Sequence, residues 1–130
     1  MEMMMTVNVE LLQRTLETIK ANPDHWRQSS WHCGTSHCFA GFAELLHFGL
    51  PVNSDERDLR QDDRFRPDPI HGFGSYWHTQ DNALDALGLD EADGIQLFDG
   101  ANSLADLESM VNLLIKDGTL VNYVYADNND

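Results

Sequence analysis

Apolar side chains recur at helical spacing near the start of the chain. Val9, Leu12, Leu16 and Ile19 stand three and four residues apart, the stripe that an amphipathic helix turns toward a core. Asn8 can cap its start, and Asn22-Pro23 ends it, because a residue before proline is pushed out of the helical region. Asp24-His25-Trp26 then reads as a turn or short helix. Residues 29–36 are rich in Ser, Gly and Thr and read as a loop. A second helix is predicted over about 36–48, with Thr35 or Ser36 as N-cap and Gly49 as the residue that ends it before Pro51. Its apolar positions are Cys38, Phe42, Leu45 and Leu46, flanked by Phe39 and Phe48. The small Ala40, Gly41 and Ala43 leave room for a close neighbour.

Residues 53–69 are polar, carry most of the arginines and end in two prolines. They read as an excursion with one short helix at most. The run His71-Gly72-Phe73-Gly74-Ser75-Tyr76-Trp77-His78 brings aromatics that would cover a core edge or line a pocket. Three further helices are predicted: 80–87 capped by Thr79 and ended by Gly88, 91–98 capped by Asp90 and ended by Gly100, and 104–117 capped by Ser103 and ended by Gly118. Leu104, Leu107, Met110, Val111, Leu114 and Ile115 give the last one a broad apolar face. Residues 119–126 are β-prone and suit one short strand or a packed tail. The expected fold is mainly α, a single domain over 1–130 with about five helices, and 1–6 and 127–130 are expected to fray.

Length and composition agree with this. A chain of 130 residues with 42% apolar and 23% charged positions can bury a core without disulfide or metal staples. Charge adds something new. The net charge is −14, and from Asp81 onward there are eleven acids against one base, Lys116. Such a half repels phosphate backbones and attracts basic proteins. The plainer reading is a solubility surface that selects no partner. Four of the eight bases, Arg57, Arg60, Arg64 and Arg66, fall in the excursion, where Asp55, Glu56, Asp58, Asp62 and Asp63 can pair with them. No apolar run approaches the ~20 residues of a membrane span, and the short opening run of methionines lacks a basic flank. With two cysteines the chain is no disulfide scaffold, and the cytoplasm is the expected compartment.

Several chemical motifs fail on spacing. A calcium loop with Gly94 at its sixth position would place Leu89 and Gly100 where oxygen ligands belong. Gly72-Phe73-Gly74 lacks the third glycine of a dinucleotide fingerprint, and no phosphate-binding loop or zinc-protease helix motif is present.

One segment stands apart: Trp31-His32-Cys33-Gly34-Thr35-Ser36-His37-Cys38-Phe39-Ala40-Gly41-Phe42-Ala43. Three chemistries compete for it. His32, Cys33, His37 and Cys38 could ligate zinc, with His71 and His78 completing the site. Cys38 could be a nucleophile in the first turn of a helix, where the dipole favours a thiolate, with His71 or His78 as base. Papain-like hydrolases use such an arrangement, but they bring the histidine on a sheet. The third reading is structural and is preferred here: a free cysteine behaves as a small buried hydrophobe, and Cys38 shares a stripe with Phe42 and Leu45. Trp26, Trp31 and Trp77 are expected in the core or at its rim.

The string W-x-C-G-T-x-x-C-x-A-G-F-A in this segment resembles a family of small bacterial and phage proteins of uncharacterised function. The likeness extends to the first helix, to the Asn22-Pro23-Asp24 turn with Trp26, to the stretch Ala83 to Phe98 and to the last apolar helix. It covers most of the chain and implies no particular activity.

The functional expectation is therefore a non-enzymatic interaction protein with no cofactor. Its acidic face would comprise Asp85, Asp90, Glu91, Asp93, Asp99, Asp106 and Glu108 and would meet a basic or nucleic-acid-binding protein. An inhibitor, immunity factor or phage counter-defence protein that imitates DNA phosphates fits this description. The alternative is a small thiol- or zinc-dependent enzyme centred on Cys33 and Cys38.

Overall fold

The computed structural model describes residues 7–29, 32–33, 35–55, 58 and 77–123, with the main chain alone at 32–33 and 77–79. Five α-helices are described: α1 (Val9–Ala21), α2 (Phe39–Phe48), α3 (Trp77–Leu87), α4 (Glu91–Leu97) and α5 (Leu104–Asp117). A 3-10 turn, Pro23–His25, follows α1. An antiparallel hairpin of β1 (His32–Cys33) and β2 (Ser36–His37) precedes α2. The protein is thus mainly α.

Asn8 begins α1 as expected, its side-chain oxygen accepting the Leu11 N–H at 3.0 Å. The same residue ties α1 to the end of α3. Its main-chain N–H donates to the Leu87 carbonyl at 2.8 Å and its Nδ2 to the Ala86 carbonyl at 3.1 Å. Two carbonyls left open by the end of α3 are satisfied in this way. The buried face of α1 comprises Leu11, Leu12, Thr15, Leu16 and Ile19. Val9, expected in that stripe, is exposed because it stands at the first helical position, beyond the edge of the core. Thr15 is accommodated inside because its hydroxyl donates to the Leu11 carbonyl at 2.6 Å.

Helix α2 starts three residues later than the expected 36–48. Ser36 and His37 pair instead with Cys33 and His32 in the hairpin, so Cys38 stands at the N-cap rather than Thr35 or Ser36. Its end is as expected. Gly49 adopts φ +74°, its N–H reaches the Leu46 carbonyl at 3.1 Å, and Leu50 N–H reaches the Leu45 carbonyl at 2.9 Å. Phe39 to Leu45 and Phe48 are all buried, which makes α2 the central helix, packed against α1 and α3.

Helix α3 begins at Trp77, earlier than the expected position 80, so Thr79 lies within it and is not its cap. The next two caps are as read from the sequence. Asp90 Oδ1 accepts the Asp93 N–H at 2.8 Å, and Ser103 and Asp106 bond each other's main chain at 3.1 and 2.9 Å in a capping box. Helix α4 ends at Leu97 with Phe98 as its C-cap. Gly118 closes α5 at φ +77°. Residues 119–123 form bends and turns, with Leu120 buried as a packed tail. Residues 124–130 lie outside the described residues, as do Arg57, Arg60, Arg64, Arg66, Trp31 and His71. Within the excursion, Asp55 and Asp58 bond each other's main-chain N–H groups at 3.2 and 2.9 Å.

Buried apolar side chains from all five helices form one main cluster that includes Leu12, Ile19, Phe39, Phe42, Met110 and Leu114, while Leu45 and Phe48 at the end of α2 pack with Leu50 in a second, small one. Gln28 crosses its edge. Its Oε1 accepts from Trp26 Nε1 at 3.0 Å and from Phe39 N–H at 3.1 Å, while its Nε2 donates to the Leu97 and Asp99 carbonyls at 3.2 and 3.1 Å. One buried amide thereby joins the segment after α1, the start of α2 and the end of α4. Trp26 sits half-buried at the rim, as expected.

Candidate functional site

The hairpin and the N-terminus of α2 deliver Cys38 to the interior, 1% exposed. Burial pushes its thiol up to about 12, although the N–H groups of Gly41 and Ala40 pull the other way. Desolvation exceeds the helix-terminus effect because a thiolate here would have no water around it. Enclosure and a thiol held protonated at neutral pH both count against the nucleophile reading of Cys38. His78 side-chain geometry and His71 lie outside the described residues.

His37 is fully buried. Its Nε2 lies 3.1 Å from the Val52 carbonyl, which fixes that nitrogen as a donor, and its ring meets Phe42 edge-on at 5.5 Å. The imidazole holds the loop after α2 against the hairpin. Among the described residues no group of three His, Cys, Asp or Glu side chains is gathered as a metal site. The side chains of His32 and Cys33 lie outside the described residues.

The acids sort into two sets. Asp93 was expected on the outer face, yet it is buried and accepts the Leu120 N–H at 3.0 Å and the Thr119 hydroxyl at 3.3 Å. It is corrected from a binding residue to the latch that holds the tail on α4. Asp106 is half-buried in its capping box, and Glu108 pairs with Lys20, linking α5 to α1. Asp90 caps α4, and Asp99 Oδ1 accepts the Ala101 N–H at 2.8 Å. Both keep a side exposed to solvent. Asp85 and Glu91 are exposed too, and so are Asp81 and Asp117, which the sequence reading did not single out. The outward set is therefore Asp81, Asp85, Asp90, Glu91, Asp99 and Asp117.

An apolar residue lies among them. Ile95, 55% exposed, projects from α4 one turn after Glu91, while Gly94, Leu97 and Phe98 take the inward face. The sequence reading passed over it. The sequence offered no signal for it: Ile95 stands three residues before Phe98, a spacing that would put both on the core face of a continuous helix. Val121 is exposed as well, at 77%, next to the buried Leu120.

No helix among the described residues is long and apolar enough to cross a membrane. The arrangement is a helical fold with six exposed carboxylates, among the described residues, on and around its last three helices. Set against known proteins, the chain matches no family model, and no curated protein or solved structure is significantly similar to it.

Proposed function

We propose that this chain is a non-enzymatic module that binds a basic protein through carboxylates on α3, α4 and α5. The observation that carries the reading is the distribution of charge. Eleven acids face one base after position 80, and six of the described acids are exposed there. Their fields add in the same sense and draw a cationic surface from beyond contact range. The partner that fits is a DNA- or RNA-binding protein, since a surface built to read phosphates accepts an array of carboxylates. An inhibitor, immunity or counter-defence role follows from blocking such a surface. The closed state of Cys38 supports the non-enzymatic side of the proposal.

The test is capture of partners by the full chain from its native cells, with the chain Asp81→Asn, Glu91→Gln, Asp117→Asn run in parallel. A basic protein retained by the first and lost by the second is the expected result. Its affinity should fall at least tenfold between about 50 and 200 mM salt. Salt-insensitive binding would remove the electrostatic reading. One zinc per chain, found by metal analysis without chelator, would replace it with the zinc reading of His32, Cys33, His37 and Cys38.

A further inference from the structure

Resting on that reading, we infer that the outward face of α4 is the docking site within the acidic surface. Its occupant is an amphipathic basic segment that seats one apolar side chain on Ile95 and Ala92 and sets lysines or arginines on Asp90, Glu91 and Asp99.

The face is apolar where a surface helix is normally polar. Ala92 and Ile95 are one turn apart and both exposed, so they form one stripe. Among the described residues the large apolar side chains are otherwise buried or half-buried, apart from Val9 at 37% exposure and Val121. An apolar centre within a charged rim is the usual anatomy of a recognition patch. Charge complementarity selects the occupant: the rim residues Asp90, Glu91 and Asp99 are all acidic and exposed, and no base lies between His78 and Lys116.

The helix is also held still. A side chain on Gly94 would run into Leu84, so α4 and α3 approach as closely as a glycine permits. Asp90 caps its start, Asp93 fastens it to the tail through Leu120, and Gln28 holds the Leu97 and Asp99 carbonyls at its end. A seven-residue helix would not persist alone. Tethered at both ends it presents Ile95 and its rim in a preorganised geometry, which lowers the ordering cost of binding.

The probe is a 14-residue helical peptide of lysines with leucines on one face, titrated into the isotope-labelled full chain. Its controls are an all-lysine peptide and a glutamate–leucine peptide. Amide shifts centred on 90–99 are expected with the lysine–leucine peptide, none with the glutamate–leucine peptide, and about tenfold weaker binding by the all-lysine peptide. Ile95→Ala should weaken the lysine–leucine peptide about tenfold, and Ile95→Lys about a hundredfold. Both changes lie on the surface and leave the core untouched, so the amide spectrum reports that the fold is kept. Equal binding by wild-type and Ile95→Ala chains, or shifts spread evenly over 81–117, would overturn the docking site while leaving the acidic-module reading standing. No binding of either lysine peptide at low salt would end both.

Discussion

Asn82 on α3 donates a 2.8 Å hydrogen bond from its side-chain amide to Oε2 of Glu44 on α2, with both residues buried. A carboxylate at the centre of a small core persists only where donors replace its lost water. The pair therefore joins the two helices that pack most extensively against each other, through a contact that is intolerant of half-removal. Asn82→Leu should cost about 3 kcal/mol, because Glu44 loses a donor it cannot recover from solvent. The double change Glu44→Leu, Asn82→Leu should cost less than the sum of the two single changes. Urea denaturation midpoints of the four chains measure this. Simple additivity would show that the bond carries no coupling.

Gln28 makes a sharper case, since both ends of its amide are used. Gln28→Glu keeps the shape but sets a carboxylate oxygen against the Leu97 and Asp99 carbonyls, where Nε2 now donates. The expected loss is about 2–4 kcal/mol at pH 7. Facing two carbonyls, this acid would hold its proton above the ordinary carboxylate range, so the penalty should shrink relative to wild type as pH falls toward that range and the protonated acid donates again. Paired melts at pH 7 and pH 4 would show it, and a pH-independent difference would point to packing alone.

The Cys38 thiol gives an alkaline prediction. Its value in the folded chain is raised to about 12 from an ordinary 9.0, so the folded state holds the proton more tightly than the unfolded state. The associated stability is intact below about pH 9 and is lost as pH rises toward 12. Through that window the slope approaches about 1.4 kcal/mol per pH unit. In a Cys33→Ser background, Cys38→Ala should flatten that part of the curve. The same thiol should resist a disulfide reagent at pH 8 until urea unfolds the chain. Rapid reaction in the native state would contradict the closed environment.

Much of the helical pattern could be read from residues lying close together in the chain. Asn8, Asp90 and the Ser103–Asp106 pair cap helices through bonds three residues long, and Gly49 and Gly118 end helices by a left-handed turn of their own backbone. Such interactions are written into a short stretch, so the sequence by itself determined the mainly α architecture, several helix ends and the accumulation of negative charge after position 80. Other matters depended on partners far away in the chain. Asp93 looked like any other surface acid until the tail, 27 residues on, placed its N–H beside it. Gln28 reaches carbonyls 69 and 71 residues away, and Asn8 one 78 residues away. Cys38 could have been exposed or enclosed at a helix start. The hairpin and the packing of α2 between α1 and α3 decided that water would not reach it, and desolvation then set its chemistry. Ile95 became notable only once the packing of Asp93, Gly94 and Leu97 fixed which side of α4 turns outward. Caps and turns act over a few bonds, whereas burial is a property of the whole assembled chain, and so the tertiary structure alone determined which acids face the solvent and that the Cys38 sulfur does not.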